Sequence, residues 1–244
     1  YMSISGKNAY EFLRTMTFTR PAGSAEELRA AELILGEVEK AGLKGALERF
    51  EIDEFRTGAS ELRVVEPFQQ SYEVCAYKHA KNTPPEGVIA PFVYVDDVCE
   101  SNFETVKGNL VLYNNLSPTY EKLADLGIAG LLTMDGKATD RYEDSAPTTL
   151  AFREEKDRDR LPAFTIRSKD ALEMVQRGAT KVWFKILGEP VKATSHNVVV
   201  TVEGTELPKE IIAIGAHYDS VPVGHGASDN GGGTALGLEL LRYF

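Results

Sequence analysis

Cysteine is nearly absent: 244 residues contain two, Cys75 and Cys99, with no CxxC spacing and no histidine cluster beside them. A zinc ribbon and a disulfide framework therefore have no support. One bridge between the two stays open, and two free, partly buried thiols is the simpler reading. No stretch approaches the roughly eighteen apolar residues of a membrane span, and residues 1–20 mix polar and apolar types without the apolar core of a signal peptide. A cytoplasmic protein is expected; the alternative is a secreted one whose leader has been removed, since Tyr1 precedes Met2. Basic residues are the minority, 27 against 37 acidic, for a net charge of −10, which argues against a nucleic-acid partner. No internal repeat or low-complexity segment is found. What is there is ordinary for a globular chain, 43% hydrophobic and 26% charged, long enough for one large or two modest domains.

Along the chain, apolar positions Ala9, Tyr10, Phe12, Leu13, Met16 and Phe18 suit an amphipathic first helix, broken by Arg20-Pro21-Ala22-Gly23. Ser24, three residues before Glu27, reads as a capping box opening a second helix that ends at Gly42. Ala46–Asp53 is expected as a strand. From about Arg56, short β-like runs (Leu62–Val65, Tyr72–Tyr77, Val88–Val95, Leu110–Tyr113, Gly130–Thr133) alternate with turn signals, and Ser117–Leu126 reads as a short helix before Gly127. The mixed-charge run Arg153–Arg160 reads as a solvated loop. Ser168–Arg177 is expected as a helix, and Lys181–Leu187 and His196–Gly204 as strands.

The most informative stretch is the last. Ile211-Ile212-Ala213-Ile214, apolar and mostly β-branched, reads as a strand buried on both faces. At its end His217 and Asp219, two residues apart, point to one side, at the carboxyl edge where open α/β sheets place ligands. Asp229 follows in a glycine-rich segment, and Thr234–Tyr243 reads as a helix. An imidazole backed by a second acid is the usual arrangement at zinc. The pattern Gly-Ala-His217-Tyr-Asp219-Ser-Val-Pro, then Gly-Ala-Ser-Asp229-Asn-Gly-Gly-Gly, closely resembles the di-zinc aminopeptidase family. The resemblance implies that His217 ligates one zinc, that Asp229 bridges two, and that Asp219 orients His217 through its other nitrogen. It also implies an α/β fold of the zinc-exopeptidase kind, a mixed sheet between helices. Residues 107–132, with Leu161–Ile166, resemble the protease-associated domain, so that residues 56–187 are expected as an insert between residues 1–55 and 188–244 of the peptidase domain.

Peptide hydrolysis at a metal pair needs ions, an activated water and a carboxylate base, and even one catalytic zinc takes three protein ligands. His217 and Asp229 are two. In the family order, a Glu-Glu pair, a further acid and a final histidine follow the helix that starts near Thr234. Here Glu239 is the only acid after Asp229, and it lacks a second glutamate, so the base is not assigned to it. The expectation is the amino-terminal part of a zinc-dependent aminopeptidase acting on peptides, which by itself binds zinc weakly and hydrolyses nothing. The alternative is a non-catalytic relative that binds peptides or proteins through the insert. Of the other histidines, His79 reads as a surface residue, His196 as a packing or capping residue, and His225 as a candidate for the pocket rim.

Overall fold

The computed structural model describes residues 4–96, 103–113, 120–135, 147–150, 152, 156, 158–207, 209–222 and 224–244. In chain order its elements are α1 (Gly6–Thr15), α2 (Ala25–Lys40), β1 (Gly45–Glu66), β2 (Gln70–Tyr72), β3 (Val74–Ala76), β4 (Val88–Val95), α3 (Phe103–Val106), β5 (Leu110–Tyr113), α4 (Tyr120–Asp125), β6 (Gly130–Asp135), β7 (Ala163–Arg167), α5 (Ser168–Gln176), β8 (Lys181–Val200) and α6 (Gly232–Tyr243). The chain forms two compact units, one of Tyr1–Glu54 with Lys192–Phe244, the other of Phe55–Val191.

The Phe55–Val191 unit is built on a mixed sheet of order β2-β1-β8-β4-β5-β6-β7-β3. Strands β4 to β7 run parallel, with Phe92 opposite Leu110, Leu110 opposite Gly130 and Leu131 opposite Ala163. Every residue of β5 is buried, as expected of a parallel strand covered on both faces. The antiparallel neighbours are β8 on β4, β2 on β1 and β3 on β7. Only Glu73 separates β2 from β3, the two ends of the order. At roughly 3.4 Å per residue, Tyr72 and Val74 lie no more than about 7 Å apart, so the two ends of the order are brought next to each other. Leu112, Leu132, Phe164, Phe184 and Ile186 are fully buried at its centre, Phe164 meeting Phe184 edge-on at 5.8 Å between ring centres. Cys75 is a free thiol beside Thr149, and burial pushes its pKa up; Cys99 lies outside the described residues.

In the other unit α1, α2 and α6 enclose a core of Phe12, Met16, Ala31, Ile34, Val38 and Leu238. The cap of α2 forms as its sequence suggests, Ser24 Oγ accepting from Glu27 N at 3.0 Å, with Gly42 at φ 78° just past the end. The reciprocal half of the capping box does not form, because the Glu27 side chain turns inward and is 1% exposed.

Four expectations change. Ala46–Asp53 and Leu62–Val65 belong to one strand, β1, and Lys181–Leu187 and His196–Val200 to another, β8, each running through the boundary between the units. Tyr72–Tyr77 divides into β2 and β3 because its halves pair with different neighbours. The largest change is at Ile211–Ile214. These residues form no strand, and Ile211 and Ile212 are 90% and 89% exposed. Hydrophobicity alone does not make a strand; backbone partners do, and among the described residues this segment has none. Part of the Ser117–Leu126 helix and of the Arg153–Arg160 run lies outside the described residues; the helix is seen from Tyr120. No helix of the described residues is long and apolar enough to cross a membrane.

Candidate metal centre

His217, Asp219 and Asp229 come together although the strand expected to carry the first two is absent. His217 Nδ1 lies 3.0 Å from Asp219 Oδ1, and Nε2 lies 2.9 Å from Asp229 Oδ1. The i, i+2 relation places the first pair, since extended backbone puts alternate side chains on one side. The second pair is made by the chain reversing between Ser220 and Gly226 and entering a widened turn, Ala227–Gly231, that leads into α6. Thr234 Oγ1 donates to the His217 carbonyl at 3.2 Å, tying the start of α6 to the histidine. Desolvation opposes the charged imidazole, but the hydrogen bonds to Asp219 and Asp229 outweigh it and raise the His217 pKa. The ring is open to solvent, with its side chain 53% exposed, and Asp229 more so at 88%.

Behind this exposed group lie two buried charged residues that sequence reading passes over. Arg20, 0% exposed, donates to five backbone carbonyls. Two are local, Met16 and Phe18, each at 3.2 Å; the others are Tyr218, His225 and Gly226, the last at 3.0 Å. Arg20 N also donates to Ser220 Oγ at 3.0 Å, and Ser220 N returns a bond to Arg20 O at 3.1 Å. Glu27 accepts from Tyr218 Oη, from His196 N at 3.1 Å and from Ser195 Oγ at 3.3 Å, and its other oxygen lies 3.2 Å from His196 Nδ1. His196 is thus a buried packing residue, as expected. Burial and the Glu27 carboxylate push the Tyr218 pKa well up. Nothing local marks Arg20 or Glu27 as buried; a charged residue after a helix, or in its first turn, is ordinarily solvated. The one sequence feature at Glu27, its place in a capping box, points to a solvated helix start rather than to burial.

The glycines of the motif are explained by the same packing. Gly226 has φ +54°, and a Cβ there would lie 2.7 Å from Ser220 Cβ and 2.8 Å from the Asp229 carbonyl. Gly226→Ala is expected to destabilise this unit by about 2 kcal/mol or more, the strain of a left-handed non-glycine residue plus the clash. Urea unfolding of the two proteins side by side measures it.

His225 is exposed, and its carbonyl rather than its ring is what the loop uses; His79 stacks at 5.2 Å on Phe55 in the other unit. Glu239, 3% exposed, accepts from Ser5 N at 2.8 Å and pairs with Arg242, a structural use that agrees with leaving it out of the chemistry. Among the described residues no three or more His, Cys, Asp or Glu side chains, those of His217, Asp219 and Asp229 included, are placed so that together they could hold a metal ion.

Residues 197–244, which include His217, Asp219 and Asp229, match the profile of Peptidase family M28. Across nearly the whole chain, relatives named as a carboxypeptidase and as an aminopeptidase are similar at low identity. Carboxypeptidase Q of Bos taurus is 26% identical over 263 residues, covering 98% of this chain and 56% of that protein. Aminopeptidase YwaD of Bacillus subtilis (strain 168) is 27% identical over 254 residues, covering 99% and 52%. The chain spans about half the length of the curated relatives it matches. Its fold is similar to that of the zinc aminopeptidase from Bacillus subtilis, with TM-score 0.75 at 23% identity over 99% of this chain and 58% of that one. An M28 peptidase precursor from Shewanella amazonensis SB2B gives TM-score 0.72 at 22% identity, covering 93% and 57%.

Proposed function

We propose that this chain carries the first part of the metal site of a zinc-dependent aminopeptidase, which His217 and Asp229 would help to hold while Asp219 would orient the histidine. The observation that carries the reading is the His217 ring held between two carboxylates at 3.0 and 2.9 Å. An imidazole nitrogen meeting a carboxylate oxygen, with the other ring nitrogen on a second acid, is the donor chemistry that zinc takes. The residues therefore fit the ion, as two of the three or more protein ligands it needs. The remaining ligands and the general base belong, in this reading, to the part of the protein that the relatives' greater length leaves uncovered.

When bound, zinc polarises the scissile carbonyl and lowers the pKa of a coordinated water. The residues of this chain prepare for it. Asp219 accepts the Nδ1 proton of His217, which fixes the tautomer and leaves Nε2 as the donor atom. Asp229 offers a carboxylate from a turn anchored on α6. Without metal, the two acids favour the doubly protonated ring, so zinc and a proton compete for Nε2. The aminopeptidase reading is supported by the likeness to Aminopeptidase YwaD, and the Phe55–Val191 unit is read as a protease-associated insert that meets peptides or partner proteins.

The test is zinc content and leucine-p-nitroanilide hydrolysis of the full-length gene product, before and after dialysis against a chelator. Turnover lost with the zinc and restored by adding it back supports the reading; full turnover in the metal-free protein refutes it. Asp219→Asn is expected to weaken zinc binding by about 10–100-fold while leaving the fold intact, the usual effect of removing a histidine's orienting acid. Competition against a chromophoric chelator reads that change.

A further inference from the structure

We infer that Arg20 is the positioning residue of this metal site, setting the separation of His217 and Asp229 although it touches neither. The inference rests on the zinc reading of those two residues. Between them the chain makes an excursion of eleven residues, and Arg20 holds it at both ends. Its Nε donates to the carbonyl of Tyr218, next to His217, while Nη1 and Nη2 donate to the carbonyls of His225 and Gly226, three to four residues before Asp229. The guanidinium is planar with a fixed fork of donors, so the three carbonyls are placed relative to one another by one rigid group. Nη1 also reaches the carbonyls of Met16 and Phe18, just past the end of α1. Ser220, 6% exposed, adds the paired bonds between its own N and Oγ and the Arg20 backbone.

Two glycines of the motif are shaped to this side chain. A Cβ on Gly226 would stand 3.2 Å from Arg20 Nη2, and one on Gly231 would stand 3.1 Å from it. Gly231 N donates to the Gly226 carbonyl at 2.9 Å, so that carbonyl receives both the guanidinium and the turn that presents Asp229. Beyond Tyr218, which packs in the core and bonds Glu27, the described residues of the loop have little else to hold them. Among its residues, Val221 is 53% exposed and His225 is exposed; no apolar side chain between Val221 and Gly226 is buried among the described residues. A loop without a core of its own takes its shape from its polar anchors. Arg20 supplies most of them here.

The experiment compares the full-length protein with Arg20→Met, which keeps length and removes every donor, and with Arg20→Lys, which keeps the charge but not the fork. Hydrogen–deuterium exchange is followed in residues 217–231 and in α2, and zinc affinity is measured by chelator competition. Expected for Arg20→Met is exchange at least ten-fold faster in 217–231 with α2 unchanged, and zinc held at least ten-fold more weakly. Arg20→Lys should fall between. The visible spectrum of the cobalt-substituted protein should shift in Arg20→Met, which a purely global loss of stability would not produce. Zinc affinity and loop exchange equal to the parent's overturn the inference, as does exchange rising equally in α2, which would make Arg20 a general strut. A parent protein that binds no zinc would instead remove the zinc reading, and the metal-positioning role with it; the exchange data tell that failure from the others. If Arg20→Met does not fold, Ser220→Ala carries the comparison: faster exchange confined to 217–231 with weaker zinc supports the inference, and no change in either overturns it.

Discussion

Asp229→Ala in the full-length protein is expected to lower turnover of leucine-p-nitroanilide by about 10³-fold or more and to reduce the bound zinc. The acid is 88% exposed, and among the described residues its side chain is bonded to the His217 ring alone, so its loss should leave the packing of the unit intact. A metal ion contributes several kcal/mol to stabilising a hydrolytic transition state, and at about 1.4 kcal/mol per factor of ten a loss of about 4 kcal/mol is about 10³-fold. The effect should fall on kcat and metal content together, with the unfolding midpoint close to the parent's. Wild-type turnover in Asp229→Ala would remove this residue from the site, however well its sequence context matches.

Glu27→Ala should have the opposite signature, a large loss of stability in the unit built from the chain's two ends. The side chain is buried and accepts from Tyr218 Oη, His196 N and Ser195 Oγ. Removing it strands several donors away from water, and each unsatisfied buried group costs about 1–3 kcal/mol, while breaking a buried charged partnership costs about 3–5 kcal/mol. A loss of about 3–5 kcal/mol is a large share of the roughly 5–15 kcal/mol that holds a domain folded. Glu27→Gln keeps the shape and one acceptor, and should lose less than half as much. Urea unfolding of the three proteins measures both changes, and a Glu27→Ala protein as stable as its parent would show that the buried cluster contributes little.

Much of the fold is legible in the chain because local rules and tertiary structure agree there. The runs at Val88–Val95 and Leu110–Tyr113 are strands with those bounds, since apolar β-branched segments bounded by turn signals have few other uses. The Ser24 cap sets the start of α2, and the apolar run before Phe244 becomes α6. Ile211–Ile214 fails the same test. Its composition demands burial, yet composition does not supply the neighbours that bury it, and here it lies exposed.

The site divides along the same line. Its candidate residues are legible in the sequence: an imidazole two residues from one acid, and a second acid in a glycine-rich turn, name three residues whose mutual hydrogen bonds are then observed. Those identities depend on side-chain chemistry and short spacings, both of which survive in a linear string. What holds them follows only from the tertiary structure. Arg20 meets Tyr218 and Gly226 across 198 and 206 residues, and Glu27 meets His196 across 169. Partnerships of that separation leave no local pattern, because a buried arginine and a solvated one are written with the same letter and differ only in what folds around them.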